Sequence, residues 1–175
     1  MQWHIEKSTS TDIDSIFELY HYATDYQKSK GAVQWPQFDQ TMVENEILEG
    51  RQWKLVQDEA VVCVWVITFD DPQIWEERNI DPAVYIHRIA THPQYRGQNL
   101  VVRLVDWAKA FALQNGKQYL RMDTAGNNQG LINYYTRCGF QFLGLRHLKN
   151  PAGLPAHYQT GPISLFQIDL TSQAL

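Results

Sequence analysis

Between Ile86 and Ala108 the chain reads IHRIATHPQYRGQNLVVRLVDWA, a strand, a short basic loop containing one glycine, and a helix with a clean apolar face. The amides of such a loop and of the first helical turn have no intrahelical acceptors, and the helix dipole adds partial positive charge. A diphosphate can therefore be held there by main-chain donors without many lysines. Gly97 lets the backbone approach the phosphate oxygens closely. Arg96 either adds a charge-assisted contact or points to solvent. The run matches neither the Walker pattern nor the dinucleotide-binding glycine pattern.

A second group of residues follows: Asn128, Tyr134, Tyr135, Gly139 and Phe140. Asn128 stands where a helix begins and Gly139 where it ends, a cap at one end and a stop at the other. The two tyrosines carry hydroxyls that can donate a proton, or else pack in the core with those hydroxyls bonded to neighbours.

Together the two groups resemble the GNAT superfamily of acyl-CoA-dependent N-acetyltransferases. Its pyrophosphate loop has Gln or Arg, two free positions, Gly, one free position, and then Gly or Ala. Here Gln94-Tyr95-Arg96-Gly97-Gln98-Asn99 follows it except at Asn99, a residue type that tolerates left-handed backbone. The family's later helix matches at Asn128, Tyr135, Gly139 and Phe140, with Leu131 in place of the usual small residue. The resemblance covers about residues 84–142 directly, and the flanks agree in element order.

The resemblance implies an acetyl-CoA site between two splayed parallel strands, residues 84–91 and 117–124. The backbone of Ile89, Ala90 and Thr91 would pair with the pantetheine arm. Arg96, Gly97, Gln98, Asn99 and Leu100 would cradle the diphosphate, and Asn128 would contact the pantetheine or sulfur region. Tyr135 would protonate the departing thiolate, with Tyr134 as its rival if the helix register shifts by one. The implied reaction is transfer of acetyl from acetyl-CoA to a primary amine of a small molecule or peptide, by direct attack in a ternary complex. A noncatalytic acyl-CoA sensor of the same fold is the alternative.

Such chemistry asks for a neutral amine, a donor for the carbonyl oxygen as it gains charge, and a proton for the thiolate. The oxyanion donor is expected to be a main-chain amide near residues 87–89. The candidates for a general base are His87, Glu76, Glu77 and Asp123, or a water relay that needs no dedicated residue. On the acceptor side, the segments 70–83 and 150–162 border the expected amine pocket. There Asp70, Asp71, Glu76 and Glu77 would attract a cation, and Trp65, Trp75 and Tyr85 would either line a wall or lie in the core.

The elements that must position these groups are readable from periodicity. A strand over residues 2–7 precedes a helix capped by Ser10 or Thr11, with Ile13, Ile16, Phe17 and Tyr20 at helical spacing. A second helix runs from near Asp39 to Gly50. Strands 53–57 and 60–69 form a hairpin about Asp58-Glu59, and the apolar run Val61 to Phe69 reads as a central strand. Residues 70–83 form a long loop. Strand 84–91, a helix whose apolar face starts at Leu100 and whose stop is Asn115-Gly116, and strand 117–124 follow. A helix at 129–138 and strands at 140–148 and 163–170 complete the order. The fold class is mixed α+β, a mostly antiparallel sheet flanked by helices around a central strand-loop-helix-strand unit.

With 175 residues, one core and a single domain over 1–175 are expected. The 15 basic and 19 acidic side chains leave a net charge of −4, which disfavours nucleic acid as a partner and suits a cationic amine. Two cysteines are too few for a disulfide scaffold, no cluster suggests a metal, and the start MQWHIEKSTST lacks a signal-peptide pattern. A cytoplasmic protein, monomer or homodimer, with acetyl-CoA as cosubstrate, no metal and no membrane span is the expectation.

Overall fold

A computed structural model describes residues 1–173. Seven strands and five α-helices are found among them: β1 (Trp3–Lys7), α1 (Ile13–Ser29), α2 (Gln40–Leu48), β2 (Gln52–Gln57), β3 (Ala60–Thr68), α3 (Pro72–Trp75), β4 (Ala83–Thr91), α4 (Leu100–Gln114), β5 (Tyr119–Ala125), α5 (Gln129–Arg137), β6 (Gln141–Arg146) and β7 (Ile163–Asp169). The strand order is β1-β2-β3-β4-β5-β7-β6. Strands β4 and β5 run parallel, whereas the β1-β2, β2-β3, β5-β7 and β6-β7 registers are antiparallel. This is the mixed, mostly antiparallel sheet with flanking helices that the sequence implies.

The chain divides into two compact units that interleave in sequence, and β4 begins in one and ends in the other. The first holds Met1–Ile67 and His87–Leu100. Its core joins Ile16, Leu19 and Tyr20 of α1, Val43 of α2, Val64 of β3 and Ala90 of β4, with Phe38 between the helices. Apolar side chains three and four residues apart on α1 make that face. The expected cap shifts slightly: the Asp12 carboxylate accepts from the Thr9 amide at 2.7 Å, and Lys54 Nζ holds the same carboxylate at 2.9 Å. Asp39 caps α2, accepting from the Thr41 amide. Asp58 and Glu59 both take positive φ, 48° and 69°, which gives the β2-β3 hairpin a two-residue turn matched to strand twist.

The second unit holds Thr68–Ile86 and the chain from Val101 onward. Leu104, Val105, Ala108 and Ala112 of α4 are buried along one stripe. Residues 70–83 are not an open loop. Pro72 starts α3, and a 3-10 turn over Glu76–Ile80 follows it. Burial of Ile74 and Trp75 beside Ala83, Tyr85, Ile163 and Leu165 folds the segment, and no strong helical periodicity announces it in so short a stretch. Among the described residues no helix is long and apolar enough to cross a membrane.

Candidate functional site

In the first unit the expected ligand-side residues form one continuous path. The β4-β5 register runs from Ala83↔Tyr119 to Ile86↔Met122, so residues 87–91 of β4 lie beyond it. Ile89 and Thr91 are half-buried and Ala90 is buried. The Thr91 hydroxyl donates to Cys63 Sγ at 3.6 Å. A 3-10 turn over Pro93–Tyr95 then leads into the loop.

Within that loop Gly97 has φ +81° and Asn99 φ +59°. Asn99 thus takes the left-handed conformation that its departure from the family pattern called for. A Cβ built on Gly97 would meet nothing within 4 Å, so its backbone faces open space that a side chain would fill. Exposed main chain, a left-handed glycine and the first turn of α4 suit a diphosphate by the chemistry of their donors. Gln98 accepts from Gln57 Nε2 at 3.3 Å, and Leu100 is buried at the start of α4. Arg96 is exposed, and its guanidinium lies over the Tyr26 ring, 4.3 Å from the centroid.

Arg88 is the feature of β4 that sequence reasoning missed. It has φ +49° inside a strand, and its guanidinium donates to the Glu46 carboxylate of α2. The same group lies 5.1 Å from the Phe38 ring centroid and 5.8 Å from that of Tyr20. Burial lowers the tendency of Arg88 to stay charged, but Tyr20 and Glu46 outweigh it and hold its pKa above the ordinary value. Burial likewise raises the Tyr20 hydroxyl, with Arg88 opposing. The one available signal was Glu46 itself, an acid flanked at helical spacing by Met42 and Val43, which has to find a buried partner.

A cavity of about 190 Å³ opens against the same rings, lined by Phe17, Tyr20, His21, Thr24, Trp35 and Phe38 among others. Edge-on contacts of 5.4 to 5.8 Å join Tyr20, Trp35 and Phe38, and the Trp35 amide is fixed by Gln27 Oε1 at 2.8 Å. None of these residues belongs to the segments 70–83 and 150–162 expected to border the amine pocket.

In the second unit Asn128 is the N-cap of α5, its Oδ1 accepting from the Leu131 amide at 3.2 Å. The side-chain amide still has donors to offer. Tyr135 is buried, with ring neighbours Tyr134, Phe140 and Phe166 at 5.2, 6.2 and 5.5 Å, whereas Tyr134 is exposed. The two tyrosines therefore differ in environment as well as register.

On the acceptor side the structure decides between the alternatives for three aromatic residues. Trp65, Trp75 and Tyr85 are wholly buried and belong to the core, not to a wall. Glu76 and Glu77 are committed to Arg146, at 3.2 and 2.8 Å, and Lys149 stands 3.8 Å from Glu76. The Glu77 carboxyl is held below its ordinary value first by a main-chain hydrogen bond and then by Arg146. Glu77 is therefore not poised to take a proton from an amine near neutrality. The segments 70–83 and 150–162 do meet, since Gln73 Nε2 donates to the carbonyls of Asn150 and Ala152. His87 is half-buried in the first unit and Asp123 half-buried on β5 of the second.

The fold has counterparts in known proteins. The profile of the Acetyltransferase (GNAT) family matches residues 18–140. Over 141 residues the chain is 24% identical to the uncharacterized N-acetyltransferase YesJ of Bacillus subtilis (strain 168), covering 76% of this chain and 78% of that protein. The crystal structure of a GNAT-family acetyltransferase from Listeria monocytogenes 4b F2365 superposes with a TM-score of 0.76 at 24% identity, covering 96% of this chain and 95% of that one. The structure of yncA from Salmonella typhimurium, solved with its cofactor acetyl-CoA, gives 0.66 at 16% identity, covering 97% and 95%. These structural likenesses establish the fold, and the profile spans most of the sequence: the chain belongs to the GNAT family of acetyltransferases.

Proposed function

We propose that the chain acts as one N-acetyltransferase domain that moves acetyl from acetyl-CoA to a primary amine of a small molecule or peptide, by direct attack in a ternary complex. The reading is carried by the loop at Gly97 and Asn99, whose left-handed backbone and open space fit an anionic cosubstrate. Bound acetyl-CoA supplies an acetyl group activated as a thioester.

The chain's own residues do the rest. The main chain from Arg96 to Leu100, through Gly97, Gln98 and Asn99, binds the diphosphate, while Ile89, Ala90 and Thr91 offer strand-edge N–H and C=O groups to the pantetheine arm. Asn128 adds an amide contact. A main-chain N–H at residues 87–89 faces the negative charge that develops on the carbonyl oxygen. The Tyr135 hydroxyl gives its proton to the departing sulfur.

The aromatic cavity against Tyr20, Trp35 and Phe38 takes the non-reacting part of the acceptor, and its ring faces suit a cationic or apolar group. The net charge of −4 favours approach of a cation. The reaction needs no metal, and the free thiols of Cys63 and Cys138 suit a reducing cytoplasm.

Acetyl-CoA at a hundred times its dissociation constant should stabilise the fold by roughly 2.7 kcal/mol, and a panel of amines should then release thiol. An unchanged melting temperature in millimolar acetyl-CoA would remove the cosubstrate from the proposal.

A further inference from the structure

A non-glycine residue with positive φ inside a strand is strained, and such strain persists only where the surroundings over-determine it. Arg88, at φ +49°, sits in the middle of β4 with half-buried residues on either side. Its side chain is held from several directions. The guanidinium donates to Glu46 and, through Nη1, to Met42 Sδ at 3.4 Å, and it lies against the faces of Phe38 and Tyr20. The side chains of Arg88 and Glu46 are only 11% and 7% exposed, so the pair is locked in the core rather than tethered at the surface. Glu46 is in turn fixed by α2, whose start is capped by Asp39.

A local irregularity of this kind re-aims the groups that follow it, and strand irregularities serve that purpose beside active sites. The stretch concerned, residues 87–91, is the part of β4 beyond its register with β5. Glycine would adopt the same φ without strain, yet the chain uses an arginine that needs a partner 42 residues away.

We propose that Arg88 and Glu46 are a positioning pair: together they hold the left-handed turn of β4 at residue 88 and so aim the Ile89 main-chain N–H at the carbonyl oxygen of the acetyl thioester. This rests on the reading above that a main-chain amide at residues 87–89 stabilises that oxygen. The pair itself touches no reacting atom.

The test separates side-chain anchoring from backbone conformation. Two double variants remove the ion pair in favour of apolar side chains, a change that buried pairs commonly tolerate. Arg88→Met/Glu46→Met leaves a strained, unanchored residue 88, whereas Arg88→Gly/Glu46→Met removes the anchor but makes the turn free of strain. The Met pair should lower kcat roughly 10- to 100-fold with KM for acetyl-CoA within about twofold, and the Gly variant should recover most of that loss. If the Met pair fails to fold, Glu46→Gln, which keeps an acceptor for the guanidinium, should show a smaller loss of the same kind.

A readout independent of turnover is the ¹⁵N–¹H resonance of Ile89 on adding acetyl-CoA or CoA. Wild type and the Gly variant should distinguish the two ligands, and the Met pair should not. If wild type fails to distinguish them, the oxyanion assignment falls and the positioning role with it. If wild type does so but both variants behave alike, with or without loss of kcat, the positioning role alone is overturned.

Discussion

Gly97 and Asn99, two residues apart in the loop that enters α4, both hold left-handed backbone, at φ +81° and +59°. The conformation is free of cost for the glycine and mild for the asparagine, but disfavours a β-branched residue by about 1–2 kcal/mol. Gly97→Val should therefore lower the melting temperature by a few degrees. Its effect on acetyl-CoA should be larger, more than roughly tenfold in Kd, because the new side chain fills the space open to the ligand. Asn99→Gly should leave both stability and Kd nearly unchanged. Calorimetric titration with thermal melting checks both variants, and equal losses of stability and affinity in Gly97→Val would mark the glycine as structural only.

The contrast between Tyr135 and Tyr134 gives the second prediction. Tyr135→Phe keeps the ring among Phe140 and Phe166 and removes only the hydroxyl. Steady-state kinetics should show kcat falling by roughly 100-fold, with acetyl-CoA affinity nearly unchanged. Tyr134→Phe, at an exposed ring, should change kcat by less than about threefold.

Arg121 organises the other unit. It is 1% exposed, donates to Gln167, to the Arg78 carbonyl, to the Tyr85 hydroxyl and to Asp81, and lies 4.6 Å from the Trp75 ring centroid. Arg121→Ala should destabilise the fold by about 3–5 kcal/mol, because the buried Tyr85 hydroxyl loses its donor and a large buried volume empties. Trp75→Ala should cost about 3–5 kcal/mol by volume alone. Denaturant titrations of the two single variants and the double should show a sub-additive sum, as the side chains touch.

The pH dependence of one thiol is also fixed by burial. Desolvation pushes Cys63 from 9.0 up to about 12, with the Thr91 hydroxyl bond opposing. Its folded value lies above the unfolded one, so the folded state binds more protons between them. The stability it contributes is complete below about pH 9 and is lost as pH rises through about 12. At about pH 8 native Cys63 should resist alkylation and react only on unfolding, as peptide mass mapping will show. The same resistance keeps Cys63 silent in thiol-release assays.

Much of this architecture is legible in the amino-acid order because its causes are local. The β-branched run of β3, the apolar stripe of α4, and Asn128 and Gly139 at the ends of α5 act within a few residues of themselves. Gly97 and Asn99 are similar, since left-handed backbone selects its residue types. Arg88 is different. Nothing in IHRIA marks a kink, because what holds it is Glu46, 42 residues earlier. Likewise Glu76 and Glu77 read as exposed acids until Arg146, about 70 residues on, is brought to them. Trp75 reads as a loop residue until Tyr85 and Arg121 enclose it. Partnerships formed by tertiary packing leave no local pattern to read.

Acetyl transfer to an amine can be measured from both products at once. Purified protein with acetyl-CoA is incubated with a panel of cationic, apolar and peptide amines, and free thiol and acetylated amine are quantified together. The expected result is amine-dependent thiol release matched one for one by acetylated product. Tight acetyl-CoA binding with no amine-dependent release across the whole panel would contradict it.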